Sequence, residues 1–102
     1  MTTPAAAATE VEVRNVMAMA RRGAVLIGYV RSGAPRVGQV TQLLAFAGRE
    51  AVRLELIGVE RLSSMEAGNV AVGLVFRNPP TLAEFGRALP PGSQIHLTDP
   101  AI

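Results

Sequence analysis

Apolar and polar residues alternate with a period of two along much of the chain, the pattern of half-buried β-strands. Val11, Val13, Asn15, Met17 and Met19 alternate with Glu12, Arg14, Val16, Ala18 and Ala20. Arg21-Arg22-Gly23 turns the chain into Ala24–Arg31, a segment rich in β-branched residues and without the length or caps of a helix. Ser32-Gly33, Pro35 and Gly38 punctuate the sequence before a third segment, Gln39–Phe46. Gly48 then predicts a hairpin into Val52–Ile57, where Val52, Leu54 and Leu56 face one way and Arg53 and Glu55 the other. Ile57 and Val59 flank Gly58, a position suited to a β-bulge.

Val70, Val72, Leu74 and Phe76 form one face of a fifth segment, and Ala71, Gly73 and Val75 the tighter one. Asn78-Pro79-Pro80 ends it. Thr81-Leu82-Ala83-Glu84 is a capping-box pattern that predicts at most one short helical turn near residues 81–85, with Gly86 stopping it. A last strand is expected over Ser93–Leu97. Six short strands and almost no helix predict an all-β protein, a closed antiparallel barrel or a sandwich. Closure is favoured because it removes the exposed edges that so many apolar strands would create. Gly23, Gly28, Gly33 and Gly38 recur every five residues, but no side-chain chemistry repeats with them, so they read as turns and bends.

The length of 102 residues suits one domain, expected over 11–98 behind a disordered Ala/Thr lead-in over 1–10. A chain of this size buries roughly two-thirds of its unfolded surface. Its 49% hydrophobic and 18% charged residues exclude a wholly disordered chain. The ten cationic residues are all Arg, against eight acidic residues, for a net charge of +2. The isoelectric point near 10.4 follows from the absence of Lys and Cys, which leaves little to titrate below the guanidinium groups, rather than from a strong positive field. Without Cys there is neither a disulfide framework nor a thiolate metal site. The first ten residues lack a basic region and a Leu-rich stretch, and the longest apolar-plus-Gly run is Gly23–Val30, far short of the ~20 residues of a spanning helix. A cytoplasmic protein without a membrane partner is expected.

No constellation carries chemistry on its own. His96 is the single histidine, with Asp99 three residues on, and no second His or Cys completes a metal site. Glu50 with Glu55, and Glu60 with Glu66, are carboxylate pairs without a recognisable pocket. Ser32, Ser63, Ser64 and Ser93 sit in turn-like stretches without a nucleophile elbow. There is no phosphate-binding loop and no Lys to serve one. Tyr29, Phe46, Phe76 and Phe85 are placed like core residues rather than as stacking platforms for bases.

Arg22-Gly-Ala-Val-Leu-Ile-Gly-Tyr-Val-Arg-Ser-Gly33, followed by Val37-Gly38-Gln39, resembles the second domain of elongation factor Tu and related translational GTPases. Ile57-Gly-Val-Glu-Arg-Leu62 is similar to that family's Gly-Val-Glu-Met-Phe, Glu66-Ala-Gly-Asn69 to its Ala-Gly-Asp-Asn turn, and Val72–Arg77 continues it. Gly86-Arg-Ala-Leu89 and Pro91-Gly-Ser93 resemble its closing Gly-Gln-Val-Leu and Pro-Gly-Thr. The resemblance spans about residues 12–95, in order. It implies a closed six-stranded translation-factor barrel standing alone, with no GTP binding because the GTPase domain is missing. In that family the barrel helps seat the aminoacylated 3′ end of transfer RNA. The resemblance places Glu60 as acceptor for a terminal ribose hydroxyl, with Arg22, Gly23, Val25 and Leu62 around it. Three positions depart from the pattern: Gln39 replaces an Asp, Ile27 a Thr, and one residue of the Ala-Gly-Asp-Asn turn is missing.

These features favour a non-catalytic binding module docking on a protein partner, without a cofactor. The alternative is an RNA-binding module for a transfer RNA 3′ end or ribosomal RNA, with Arg21, Arg22 and Arg61 on phosphates near Glu60; it requires those Arg to share one face. A small hydrolase or metalloenzyme ranks last and requires a pocket around His96 and Asp99.

Overall fold

A computed structural model describes residues 9–62 and 69–99. The chain runs β1 (Thr9–Met19), β2 (Gly23–Ser32), β3 (Val40–Thr41), β4 (Leu56–Leu62), β5 (Val70–Phe76), α1 (Leu82–Ala88) and β6 (Gln94–Thr98). The strands form one antiparallel sheet in the order β3-β6-β1-β2-β5-β4. Bulges between Glu10 and Val11 and between Val13 and Asn15 bend β1, which lets the sheet curl. Thr9 and Glu10, expected in the lead-in, pair with Leu97 and His96 as the start of β1. The rest of that lead-in lies outside the described residues.

The curl stops short of the closed barrel expected from the sequence: the protein is a half-barrel. Of the expected strand Gln39–Phe46, only Val40–Thr41 joins the ladder. The expected strand Val52–Ile57 begins only at Leu56, and the Gly48 hairpin survives as a reciprocal pair of bonds between Leu44 and Val52. The two terminal strands meet at one end only. There Gly38 N donates to Leu56 O at 2.9 Å, Leu56 N to Gln39 O at 2.8 Å, and Thr41 N to Leu54 O at 3.0 Å. Beyond this the first edge offers no ladder among the described residues. Pro35 has no N–H, and Gly33 and Gly38 hold left-handed φ angles of 69° and 101° that turn the chain away.

The concave side holds the core: Val11, Val13, Leu26, Leu56, Leu74, Ile95 and Leu97 are all fully buried. α1 plugs its open side. Thr81 and Glu84 form the predicted capping box, with Glu84 N donating to Thr81 Oγ1 at 3.1 Å and Thr81 N to Glu84 Oε1 at 2.9 Å. The helix is nevertheless longer than the single turn expected, because Gly86 lies inside it rather than ending it. Phe85 explains this: it is fully buried, with its ring 6.2 Å from Phe46 and 6.0 Å from Phe76, and Leu89 is buried just after the helix. That burial outweighs the roughly 1 kcal/mol helix penalty of one glycine.

Candidate functional site

The convex face of the sheet carries most of the residues singled out by sequence. Arg22 and Glu60, from the β1–β2 turn and from β4, form an ion pair. The turn is tight: Arg21 and Gly23 both adopt left-handed φ, 68° and 72°, and Arg22 N donates to Met19 O at 3.1 Å. Val25 also faces outward, since a Cβ built on Gly73 would lie 3.4 Å from its Cγ1; yet it is fully buried. Leu62 follows Glu60 by two residues and so shares this face, as Met17 does opposite Val25. Met17, Met19, Ile57 and Leu62 remain between 38 and 47% exposed.

Arg61 does not join this group. Between Glu60 and Leu62 on the strand, it points to the concave side and lines a cavity of about 160 Å³ with Val30, Ala34, Pro35, Val59 and Val72. The structure therefore brings Arg22, Gly23, Val25, Glu60 and Leu62 to one face and sends Arg61 to the other. Six of the ten Arg (Arg14, Arg22, Arg31, Arg36, Arg49 and Arg77) are in ion pairs with described carboxylates. Positive charge is thus spread through local pairs rather than gathered on one face.

A second cluster on the convex face escaped the sequence reading. The Tyr29 ring, expected in the core, lies between two guanidinium groups, Arg14 and Arg31, whose carbons are 5.5 and 5.4 Å from its centre. Glu12 accepts from both, at 2.7 Å from Arg31 Nη2 and 3.2 Å from Arg14 Nη1. The Arg31 hydrogen bond, more than any other influence, holds the Glu12 carboxyl below its ordinary value of 4.5. The i, i+2 spacings Glu12/Arg14 and Tyr29/Arg31 signal same-face pairs, but only the β1–β2 register shows that the two pairs meet.

A groove of about 330 Å³ lies near α1, walled by Phe46, Leu54 and Pro80 and rimmed by Arg49, Arg53 and Arg77. Arg77 pairs with Glu55, Arg49 with Glu84, and Arg53 Nη1 donates to Thr41 O at 3.2 Å. Elsewhere, His96 Nδ1 lies 3.2 Å from Glu10, whereas Asp99 pairs with Arg36, so His96 and Asp99 do not share a site. The Ser93 hydroxyl donates to Pro90 O at 2.7 Å. Ser63, Ser64 and Glu66 lie outside the described residues.

Comparison with protein-family models, curated proteins and solved structures finds no match. The resemblance to the second domain of elongation factor Tu accordingly rests on the sequence motifs alone. Among the described residues, no helix is long and apolar enough to cross a membrane.

Proposed function

We propose that this protein is a non-catalytic binding module that docks on a partner protein through the β4 side of its sheet. The observation that carries the reading is the unfinished barrel: among the described residues β4 has a neighbour on one side only beyond Leu56, and exposed Ile57 and Leu62 lie along it. Sheets normally pair, cover or charge such an edge; here the bulge and the charged Glu60 and Arg61 still leave Ile57 and Leu62 as exposed apolar surface beside it, which favours association. The local chemistry agrees. His96 pairs with Glu10, and Glu12, Glu55, Glu60, Glu84 and Asp99 pair with Arg, which suits a recognition surface better than a reaction centre. An RNA-end site is less favoured, because Arg22 and Glu60 occupy each other and Arg61 lies on the opposite face.

Site-specific photo-crosslinking tests this reading. With benzoylphenylalanine at Leu62, extracts of the source cells are expected to yield a discrete protein adduct that is absent when the probe replaces Leu43. A ribonuclease-sensitive adduct at Leu62 would favour the RNA reading instead, and equal labelling at both positions would overturn a defined docking face.

A further inference from the structure

Leu56 is the last residue of β4 whose outward backbone groups find a partner among the described residues; its N–H and C=O are both bonded, to Gln39 and Gly38. Backbone direction alternates along an antiparallel strand, and the bulge at Ile57–Gly58 adds one residue to the count. The next residues to turn their N–H and C=O toward the open side are therefore Val59 and Arg61. Their side chains point the other relevant way, into the mouth of the half-barrel, where both line the 160 Å³ cavity. Across that mouth stand Ala34 and Pro35, which offer no ladder of their own. The side chains lining the cavity are apolar except for Arg61, which, like Arg21, Arg53 and Arg87, pairs with no described carboxylate.

From this arrangement, and resting on the protein-binding reading above, we infer that the occupant of the mouth is an extended peptide segment of the partner that adds as a seventh strand to β4. Its backbone bonds to Val59 and Arg61. One aliphatic side chain fills the cavity between Val30, Pro35 and Val72, and an acidic side chain two residues away pairs with Arg61. Main-chain bonds supply general affinity in such strand addition, while the alternate side chains supply the selectivity. Arg61 is solvent-exposed at the rim of this apolar cavity and has no carboxylate partner among the described residues, which favours an acidic over a basic peptide.

The test uses the full chain and two synthetic heptapeptides, Thr-Val-Thr-Glu-Thr-Val-Thr (the Val/Glu peptide) and the same sequence with Lys for Glu (the Val/Lys peptide), which place Val and the charged residue two apart on one face; binding is followed by backbone amide NMR and hydrogen exchange. The Val/Glu peptide is expected to shift and protect the Val59 and Arg61 amides, with the Val/Lys peptide binding roughly tenfold more weakly or worse. Arg61→Glu is expected to reverse the preference, and Arg61→Gln to abolish it while leaving the fold intact. Equal binding of both peptides, or no protection at Val59 and Arg61 at millimolar peptide, overturns the proposal. Concentration-dependent protection of the same amides without peptide overturns it in favour of a second copy of this chain. Shifts confined to Met17 and Leu62 would overturn strand addition while leaving the protein-binding reading standing, which the crosslinking result decides separately.

Discussion

The Arg22 guanidinium, on the β1–β2 turn, reaches the Glu60 carboxylate on β4, spanning the convex face of the sheet across β2 and β5. Both side chains are partly exposed, 44 and 38%, so water screens the pair. Such pairs contribute about 0.2–1 kcal/mol in double-mutant cycles. Arg22→Ala and Glu60→Ala, singly and together, are expected to show coupling within that range by urea unfolding. The coupling is expected to shrink as salt rises.

Gly28 and Gly86 are expected to respond to alanine in opposite ways. A Cβ on Gly28 would lie 2.5 Å from Glu12 O and 2.6 Å from Val11 Cγ1, on the strand paired with it. Because one obstacle is backbone, relief requires moving the β1–β2 ladder, and Gly28→Ala is expected to cost about 3 kcal/mol or more. A Cβ on Gly86 meets nothing within 4 Å, and the residue sits in α1. Gly86→Ala is expected to stabilise by about 0.5–1 kcal/mol. Thermal unfolding of the two variants checks both signs.

Phe85 is the plug of the half-barrel. Phe85→Ala is expected to cost about 3–5 kcal/mol, since it empties a fully buried site between two aromatic rings. Thr81→Ala removes the cap at the start of the same helix and is expected to cost about 1 kcal/mol. Chemical denaturation monitored by far-ultraviolet circular dichroism distinguishes the two magnitudes.

Acid is expected to weaken the fold through Glu12 and Glu84. Both carboxyls titrate below their ordinary value of 4.5, Glu12 foremost through the Arg31 hydrogen bond and Glu84 foremost through the backbone N–H of Thr81. A depressed folded-state pKa means that the stabilisation is complete above the unfolded value and is lost as pH falls through the folded one. The urea midpoint is therefore expected to be steady near neutrality and to decline below pH 4.5, the starting point of the window. Glu12→Gln and Glu84→Gln are each expected to flatten that decline. An unchanged slope in both variants would refute the assignment.

Much of the fold was legible in the sequence. Alternation marked β1 and β5, β-branched residues marked β2, Gly58 marked a bulge, and Thr81 with Glu84 marked the start of α1, because each depends on neighbours a few residues away. The segment over Gln39–Ile57 was misread for the same reason. Its alternating apolar residues do reach the core, as buried Leu44, Leu54 and Leu56 show, but burial does not require a continuous ladder. Gly86 likewise has local chemistry that stops helices, and the nonlocal burial of Phe85 and Leu89 overrides it.

By itself, then, the sequence determined that this is a mostly β protein of short antiparallel strands, with its charges in modest excess and all of its cations guanidinium groups. Only the tertiary structure decided whether the sheet closes, and which of Arg22, Glu60, Arg61 and Tyr29 stand together. Closure depends on whether two strands distant in sequence arrive in register, and here Pro35 and two left-handed glycines turn one of them aside. Side-chain partnership across strands depends on that register in the same way, since a shift of one residue exchanges the two faces of a strand.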